Sequence, residues 1–408
     1  MIKIYKQVEK LEYLSNYSNY GFYINGIYYE TVEHYYQSEI KIINNVPPKR
    51  SAIIRKRVNN IEIKDIKSQK EYIIYKGILE KFRQNKEILY KLIETRNQSI
   101  ENNLEKKIYG SLLQKVRLKL KKEILNNILT ESKNTEVYII GHSTPDADSI
   151  FSSYVLSRIL KKLGIKAHFC ILENHYDYCF NDIKLINDSL LEKPEIITDV
   201  NDKKFILVDH NDNNLLKHEN IIGAIDHHII IGKIKNILEI EYASTGLLIY
   251  DLFKEMYKFD QKEKKLIALT VLADTDYLCS SRFTLEDKKI YDELNLDLNE
   301  KELQKKYFLI NDFNKTIEHN LKTNYKYYNY NGVEIKRAMI SSYRKEYEQY
   351  FDKYKQFINM QNDLWLLIWC DYETKRTKVL FKKQEVEFDY LLSSTSLILK
   401  YLIEKNLF

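Results

Sequence analysis

One decapeptide near the middle of the chain restricts the possible fold more than any other stretch. Gly141-His142-Ser143-Thr144-Pro145-Asp146-Ala147-Asp148-Ser149-Ile150 sets a histidine and two aspartates into seven positions, directly after the apolar run Val137 to Ile140. The run reads as a buried strand. From Ser149 onward, the spacing of Ile150, Val155, Leu156, Ile159, Leu160 and Leu163 reads as a helix. The polar cluster therefore falls on a strand-to-helix turn, which is where ligands bind in an open parallel sheet.

Three further runs behave as strands: Ala167 to Leu172, Phe205 to Val208 and Ile221 to Ile225. They are short, apolar and separated by helical or polar segments, so the expected architecture is α/β with a doubly wound parallel sheet. The strongest candidates end in acids or histidines: His142, Asp146 and Asp148 after the first, Asp209-His210-Asn211 after the third, and Asp226-His227-His228 after the fourth. A helix through Leu266 to Leu272 then delivers Asp274 and Asp276. Parallel strands put their carboxyl ends on one edge, so these groups are expected to converge. A single strand-end aspartate is ordinarily a helix cap, and a lone histidine is ordinarily structural. Successive clusters of this kind in chain order point instead to a metal centre, because packed carboxylates repel unless cations lie between them.

Aspartate oxygens with imidazoles and no cysteine suit manganese, with magnesium or cobalt as alternatives, better than a thiolate-seeking ion. Two such ions about 3.5 to 4 Å apart polarise a phosphoryl group and generate its nucleophile, which implies hydrolysis of a phosphoester or phosphoanhydride.

Composition narrows the remaining classes. With 408 residues, two or three domains are expected; the boundaries read from the pattern are 1–130, 131–300 and 301–408. A charged fraction of 30% against 44% hydrophobic places the chain among globular proteins. No apolar run approaches the roughly 18 to 20 residues of a membrane span, and the start lacks a signal core, so a cytoplasmic address and no membrane partner are expected. The net charge of +6 is spread without like-charge blocks, so nucleic-acid binding is not indicated. Cys170, Cys179, Cys279 and Cys370 form no Cys-x-x-Cys pair and read as reduced, structural thiols. Oligomeric state is left open.

The N-terminal third reads as a small α+β domain. Asn25-Gly26 between Phe22-Tyr23-Ile24 and Ile27-Tyr28-Tyr29 signals a hairpin, and Thr31 is an N-cap candidate for a helix through Glu33. Five segments here, Leu14-Ser15-Asn16-Tyr17, the hairpin, Val32-Glu33-His34-Tyr35-Tyr36-Gln37, Leu79 to Asn85, and Tyr109 to Arg117, resemble the NADAR family. That resemblance implies an ADP-ribose-type ligand, N-glycosidase chemistry on N-ribosides, and Glu33 in the glycosidase pocket. A fixed carboxylate there would stabilise oxocarbenium character. The family's Asp-x-x-Trp-Gly segment has no counterpart, since Trp365 and Trp369 are the only tryptophans.

The middle and C-terminal thirds resemble the DHH phosphoesterases, closest to the family II manganese-dependent inorganic pyrophosphatases. The matching strings are the decapeptide, Val208-Asp209-His210-Asn211, Ile225-Asp226-His227-His228, Ser244-Thr245-Gly246 and Ala273-Asp274-Thr275. By that similarity His142, Asp146 and Asp209 hold one metal, while Asp148, the shared Asp209, His227 and Asp274 hold the other. His228 faces a small phosphorylated substrate, and Asp226 orients the histidines. Residues 301–408 resemble the smaller domain that closes over this centre, where basic residues clamp phosphate. The Ser-Arg-Lys-Lys-Gln signature is absent, and Lys315, Arg376, Lys382 and Lys383 stand nearest to such a role, with Ser393-Ser394 in the register of the signature. A DHH oligonucleotide or cyclic-dinucleotide phosphodiesterase is the alternative within the fold. It would use a glycine-rich C-terminal loop, whereas Gly332 is the only glycine after Gly246.

Overall fold

The computed structural model describes residues 2–4, 9–39, 67–96, 98–102, 107–143, 145–172, 183–190, 192–211, 216–228, 234–280, 282–308, 311, 313–323, 325–330, 333–392 and 395–407. Cys179, Gly332 and the Ser393-Ser394 pair lie outside them. The chain divides into two compact units, one formed by Met1–Glu131 with Asn236–Glu241 and the other by Ser132–Lys235 with Tyr242–Phe408. Among the described residues, no helix is long and apolar enough to cross a membrane.

In the first unit, the hairpin Phe22–Ile24 and Ile27–Tyr29 turns through Asn25 (φ 51°) and Gly26 (φ 80°). Two successive left-handed residues make a type I′ turn, whose twist matches the strands it joins. Helices Val32–Glu39, Lys67–Gln84, Lys86–Glu94 and Lys107–Lys133 supply the remaining bulk. Lys81 is fully buried, and its ammonium donates to Tyr13 O (2.6 Å), Ser15 O (2.8 Å) and Ser18 Oγ (2.6 Å). That cation pins the Tyr13–Ser18 segment, because a buried ammonium is tolerated only when its donors are matched.

The second unit contains five parallel strands in the spatial order Ile221–Asp226, Lys204–Val208, Val137–Ile140, Ala167–Leu172, Glu195–Ile197. Their apolar residues are buried almost without alternation, as expected where both faces of a parallel sheet are covered. Glu195–Ile197 was not among the expected strands; its apolar run is only Ile196-Ile197, and Ile196 is exposed, so it is too short to mark a strand. From Val137–Ile140 the chain runs outward to one edge and then returns to pair Lys204–Val208 on the other side of the first strand. The direction reverses between those two neighbours, so His142 and Asp209, which follow their carboxyl ends, flank the switch point.

Helices Ala147–Lys162, Thr245–Phe253 and Gln261–Asp274 pack on one another and on this sheet. The first ends in a tight reversal at Gly164 (φ 80°), whose N–H donates to Lys161 O at 3.1 Å. The C-terminal part holds a five-stranded sheet in sequence order, Tyr325–Tyr330, Val333–Ser342, Trp365–Asp371, Arg376–Phe381 and Gln384–Phe388. Only Val333–Ser342 and Trp365–Asp371 run parallel; the other pairings are antiparallel. One face packs Trp369 against Phe351 and Tyr354 of helix Arg344–Asn359, and the other packs Ile368 against Ile398 and Leu402 of helix Thr395–Glu404.

Candidate metal centre

The turn after Val137–Ile140 is shaped by Ser149. A Cβ on Gly141 would come within 1.9 Å of Ser149 Oγ, so glycine is required for the strand to pass this close. The same hydroxyl accepts from His142 N at 3.2 Å. Asp146 caps helix Ala147–Lys162 by accepting from Ser149 N at 3.1 Å, and its other oxygen lies 3.6 Å from His142 Nε2.

Asp209, with φ 64°, breaks the line of its strand and turns its carboxylate into the crevice. Its two oxygens face different imidazoles. Oδ2 lies 3.2 Å from His142 Nε2, and Oδ1 lies 3.2 Å from His227 Nε2. His227 Nε2 also lies 3.3 Å from Asp274 Oδ2 and 3.8 Å from Asp148 Oδ2. The groups His142–Asp146–Asp209 and Asp148–His227–Asp274 could each hold a cation, and His228 joins Asp209 and His227 in a third. Asp209 is thus shared.

The ring of His227 is set by its far nitrogen. Nδ1 donates to the Tyr242 carbonyl at 3.0 Å, which turns Nε2 toward the carboxylates as the nitrogen that carries the lone pair once the ring is neutral. A buried nitrogen faced by three carboxylates fits a cation, either a proton or a metal ion. Asp148 is fully buried and held by Ser152 Oγ (2.7 Å), Gly246 N (3.0 Å) and Thr245 N (2.7 Å). The last two are free amides at the start of helix Thr245–Phe253, a natural anion cradle. Thr245 Oγ1 donates to Asp209 Oδ1 at 3.0 Å. Asp226 accepts from Asn211 Nδ2 (2.7 Å), His228 N (3.0 Å) and His228 Nδ1 (2.9 Å), so it orients His228, whereas a backbone carbonyl orients His227.

Protonation follows from this crowding. Burial disfavours the imidazolium of His142, but Asp146 and Asp209 outweigh it and raise the group to about 11. In His227 burial is likewise overcome, by Asp209 and Asp274 above all, to about 10. Burial and then the Asp209 charge lift Asp148 to about 7, and burial with the Asp148 charge lifts Asp274 well above the carboxylate range. Burial would raise Asp209 too, but the two histidines hold it well below its usual value. Without cations, protons do part of the neutralising.

His210 donates from Nδ1 to Val208 O at 3.0 Å, and burial lowers its pKa; its Nε2 is buried without a partner. Lys315 is exposed. Arg376 pairs with Glu387 (3.5 Å) and Asp389 (3.3 Å). Lys382 and Lys383 are the left-handed centre of the hairpin that pairs Phe381 with Gln384. Tyr242 and Thr245 are contributors that residue-type reasoning missed. Tyr242 acts through its backbone, which leaves no mark in a sequence, and Thr245 stood inside a motif without a role. In the first unit Glu33 is buried; its N–H donates to Asn16 O (3.2 Å), and its Oε1 accepts from Gln37 (2.5 Å).

Residues 136–278 match the DHH family, N-terminal domain. The chain is similar to a manganese-dependent inorganic pyrophosphatase of Methanothrix thermoacetophila, 29% identical over 39% of this chain and 53% of that protein, so it spans about half the length of that relative. A manganese-dependent inorganic pyrophosphatase of Methanocaldococcus jannaschii is 32% identical over 22% of this chain and 28% of that one. Among solved structures, a candidate family II inorganic pyrophosphatase of Methanococcus jannaschii is 18% identical, with 66% of this chain and 98% of that chain covered and a TM-score of 0.48.

Proposed function

From a DHH-family domain at residues 136–278, we infer that this chain is a metal-dependent phosphohydrolase with a two-cation centre, acting on pyrophosphate or a related phosphoanhydride or phosphoester. The observation that carries the reading is the divided carboxylate of Asp209, one oxygen toward His142 and the other toward His227. On this reading His142, Asp146 and Asp209 hold one ion, and Asp148, Asp209, His227 and Asp274 hold the second. Manganese is the metal named for the relatives and suits these donors. When bound, the ions supply Lewis-acid polarisation of the phosphoryl group and a water of lowered pKa.

The protein's own share is positioning and charge. Asp226 fixes His228 through Nδ1, and the half-exposed ring offers its other nitrogen to a substrate phosphoryl oxygen. Thr245 and the helix amides keep Asp209 and Asp148 in place while charge builds during attack. The test is metal-dependent phosphate release screened over pyrophosphate, short polyphosphates, ADP-ribose and dinucleotides. Asp209→Ala should abolish it, and phosphate release from pyrophosphate that survives this change would end the two-metal reading. Turnover of dinucleotides alone would favour the phosphodiesterase alternative.

A second reading concerns the first unit, proposed as an N-riboside binder or N-glycosidase for an ADP-ribose-type ligand, with Glu33 as its carboxylate. It is supported by the burial of Glu33 against the Asn16 segment, which Lys81 clamps from the other side. Glu33→Ala should stop release of free base from an N-riboside while leaving phosphate release unchanged, and Asp209→Ala should do the reverse.

A further inference from the structure

The segment Tyr242–Gly246 bonds three residues of the centre, His227, Asp148 and Asp209. Its Tyr242 carbonyl sets His227, its Thr245 and Gly246 amides hold Asp148, and its Thr245 hydroxyl reaches Asp209. This strap is itself restrained. Tyr242 Oη donates to Asp251 at 2.7 Å, and Ser244 Oγ both bonds Thr270 Oγ1 at 2.8 Å and caps the helix by accepting from Leu247 N at 3.2 Å. Between them, the N–H of Ala243 donates to Asp287 Oδ1 at 3.1 Å.

Asp287 is fully buried and lies beyond the matched DHH segment. Its other oxygen accepts from Thr284 N at 2.9 Å, within a capping box that starts helix Leu285–Asp292. A buried carboxylate needs its second oxygen matched as well: in the capping box of helix Gln261–Asp274, Arg158 does this for Glu263. Here the buried oxygen is matched by a strap amide 44 positions away in sequence.

We propose that Asp287 is a positioning residue for one half of the centre, the His227–Asp148–Asp274 half, acting through its hold on Ala243. The selectivity follows from what hangs on the strap. His227 and Asp148 are bonded to it through backbone groups, and the shared Asp209 only through the Thr245 hydroxyl, whereas His142 and Asp146 are set by Ser149 on a different helix. Releasing Ala243 lets the Tyr242 carbonyl and the Thr245 amide drift together. That blurs the aim of His227 Nε2 and the tilt of the Asp148 carboxylate, while the other half, which meets the strap only through Asp209 Oδ1, changes less.

The inference rests on the two-cation reading, so the test is built to separate them. Mn2+ binding to the full chain is followed by calorimetry together with the electron paramagnetic resonance of free Mn2+. The wild-type chain should take up two ions. Asp287→Ala should weaken one of them about tenfold, in the range seen when groups supporting a ligand are removed, and leave the other within about twofold. Asp287→Asn, which keeps an oxygen for the Ala243 N–H, should recover most of the loss. Thr284→Val, which removes the capping hydroxyl and its bond to the other oxygen of Asp287 but leaves the Ala243 bond, should lower Tm and move the affinities far less than Asp287→Ala does. Where Asp287→Ala does not fold, Asp287→Glu carries the same expectation, because the extra methylene displaces the carboxylate from Ala243. Equal weakening of both ions, unchanged binding, or reproduction of the loss by Thr284→Val would overturn the proposal. A wild-type chain that takes up fewer than two ions would instead remove the reading beneath it.

Discussion

Uptake of manganese by the metal-free protein should expel protons, in a number set by the geometry of the centre. Without cations, His142 is held at about 11 and His227 at about 10, since their carboxylate neighbours outweigh the effect of burial. Both rings are imidazolium at pH 7 to 8, yet a ligating imidazole must be neutral. Binding two ions therefore displaces about two protons. Each proton displaced makes the apparent affinity climb about tenfold per pH unit. For two, the product of the binding constants should rise about 100-fold from pH 7 to 8.

The same shifts govern the stability of the metal-free fold. Each histidine has a folded pKa above its unfolded value near 6.5, so its stabilisation is complete below that pH and lost as pH rises through about 10 for His227 and about 11 for His142. Asp148, raised to about 7, acts in the same direction, because its buried charged form is the disfavoured one. Melting temperature in EDTA should therefore fall between pH 7 and 10, while the manganese-loaded protein stays nearly flat. Calorimetry in buffers of different ionisation enthalpy counts the protons, and scanning fluorimetry follows the melting. Manganese binding with no net proton release, and with an affinity that does not change from pH 7 to 9, would refute the reasoning.

Three other outcomes follow from packing and hydrogen bonding. Gly246→Ala puts a Cβ within 2.3 Å of Thr270 Oγ1 and should cost about 1 to 3 kcal/mol in urea denaturation, with weaker manganese binding because Gly246 N also holds Asp148. Gly141→Ala should destabilise similarly, and adding Ser149→Gly should recover most of that loss, since Ser149 Oγ is the atom in the way; a double variant as unstable as the single would contradict this. Lys81→Met removes three donated bonds, to Tyr13 O, Ser15 O and Ser18 Oγ, in the first unit and should cost about 2 to 4 kcal/mol in denaturant unfolding, whereas a loss below about 0.5 kcal/mol would show that the clamp is not needed.

Local chemistry was legible where it is local in the chain. The hairpin at Asn25-Gly26 follows from two residues that tolerate left-handed backbone, and the strands Val137–Ile140 and Ala167–Leu172 follow from unbroken apolar runs. Glu195–Ile197 escaped because a two-isoleucine run is too short to be told from a loop. The ligand types were equally plain, since each stands at the end of a strand or helix.

The sequence by itself determined which donors this chain offers and in what order, because hard oxygens and imidazoles at strand ends are properties of residue and position. Only the tertiary structure decided how they are shared. Asp209 divides its oxygens between two histidines because its strand lies beside Val137–Ile140 at the switch point. His227 presents Nε2 because a backbone carbonyl claims its other nitrogen. Asp148 is seated by amides 97 and 98 positions away, and the strap bearing them is tied to Asp287. Such bonds run through space between groups that every residue carries, so no pattern of side chains announces them.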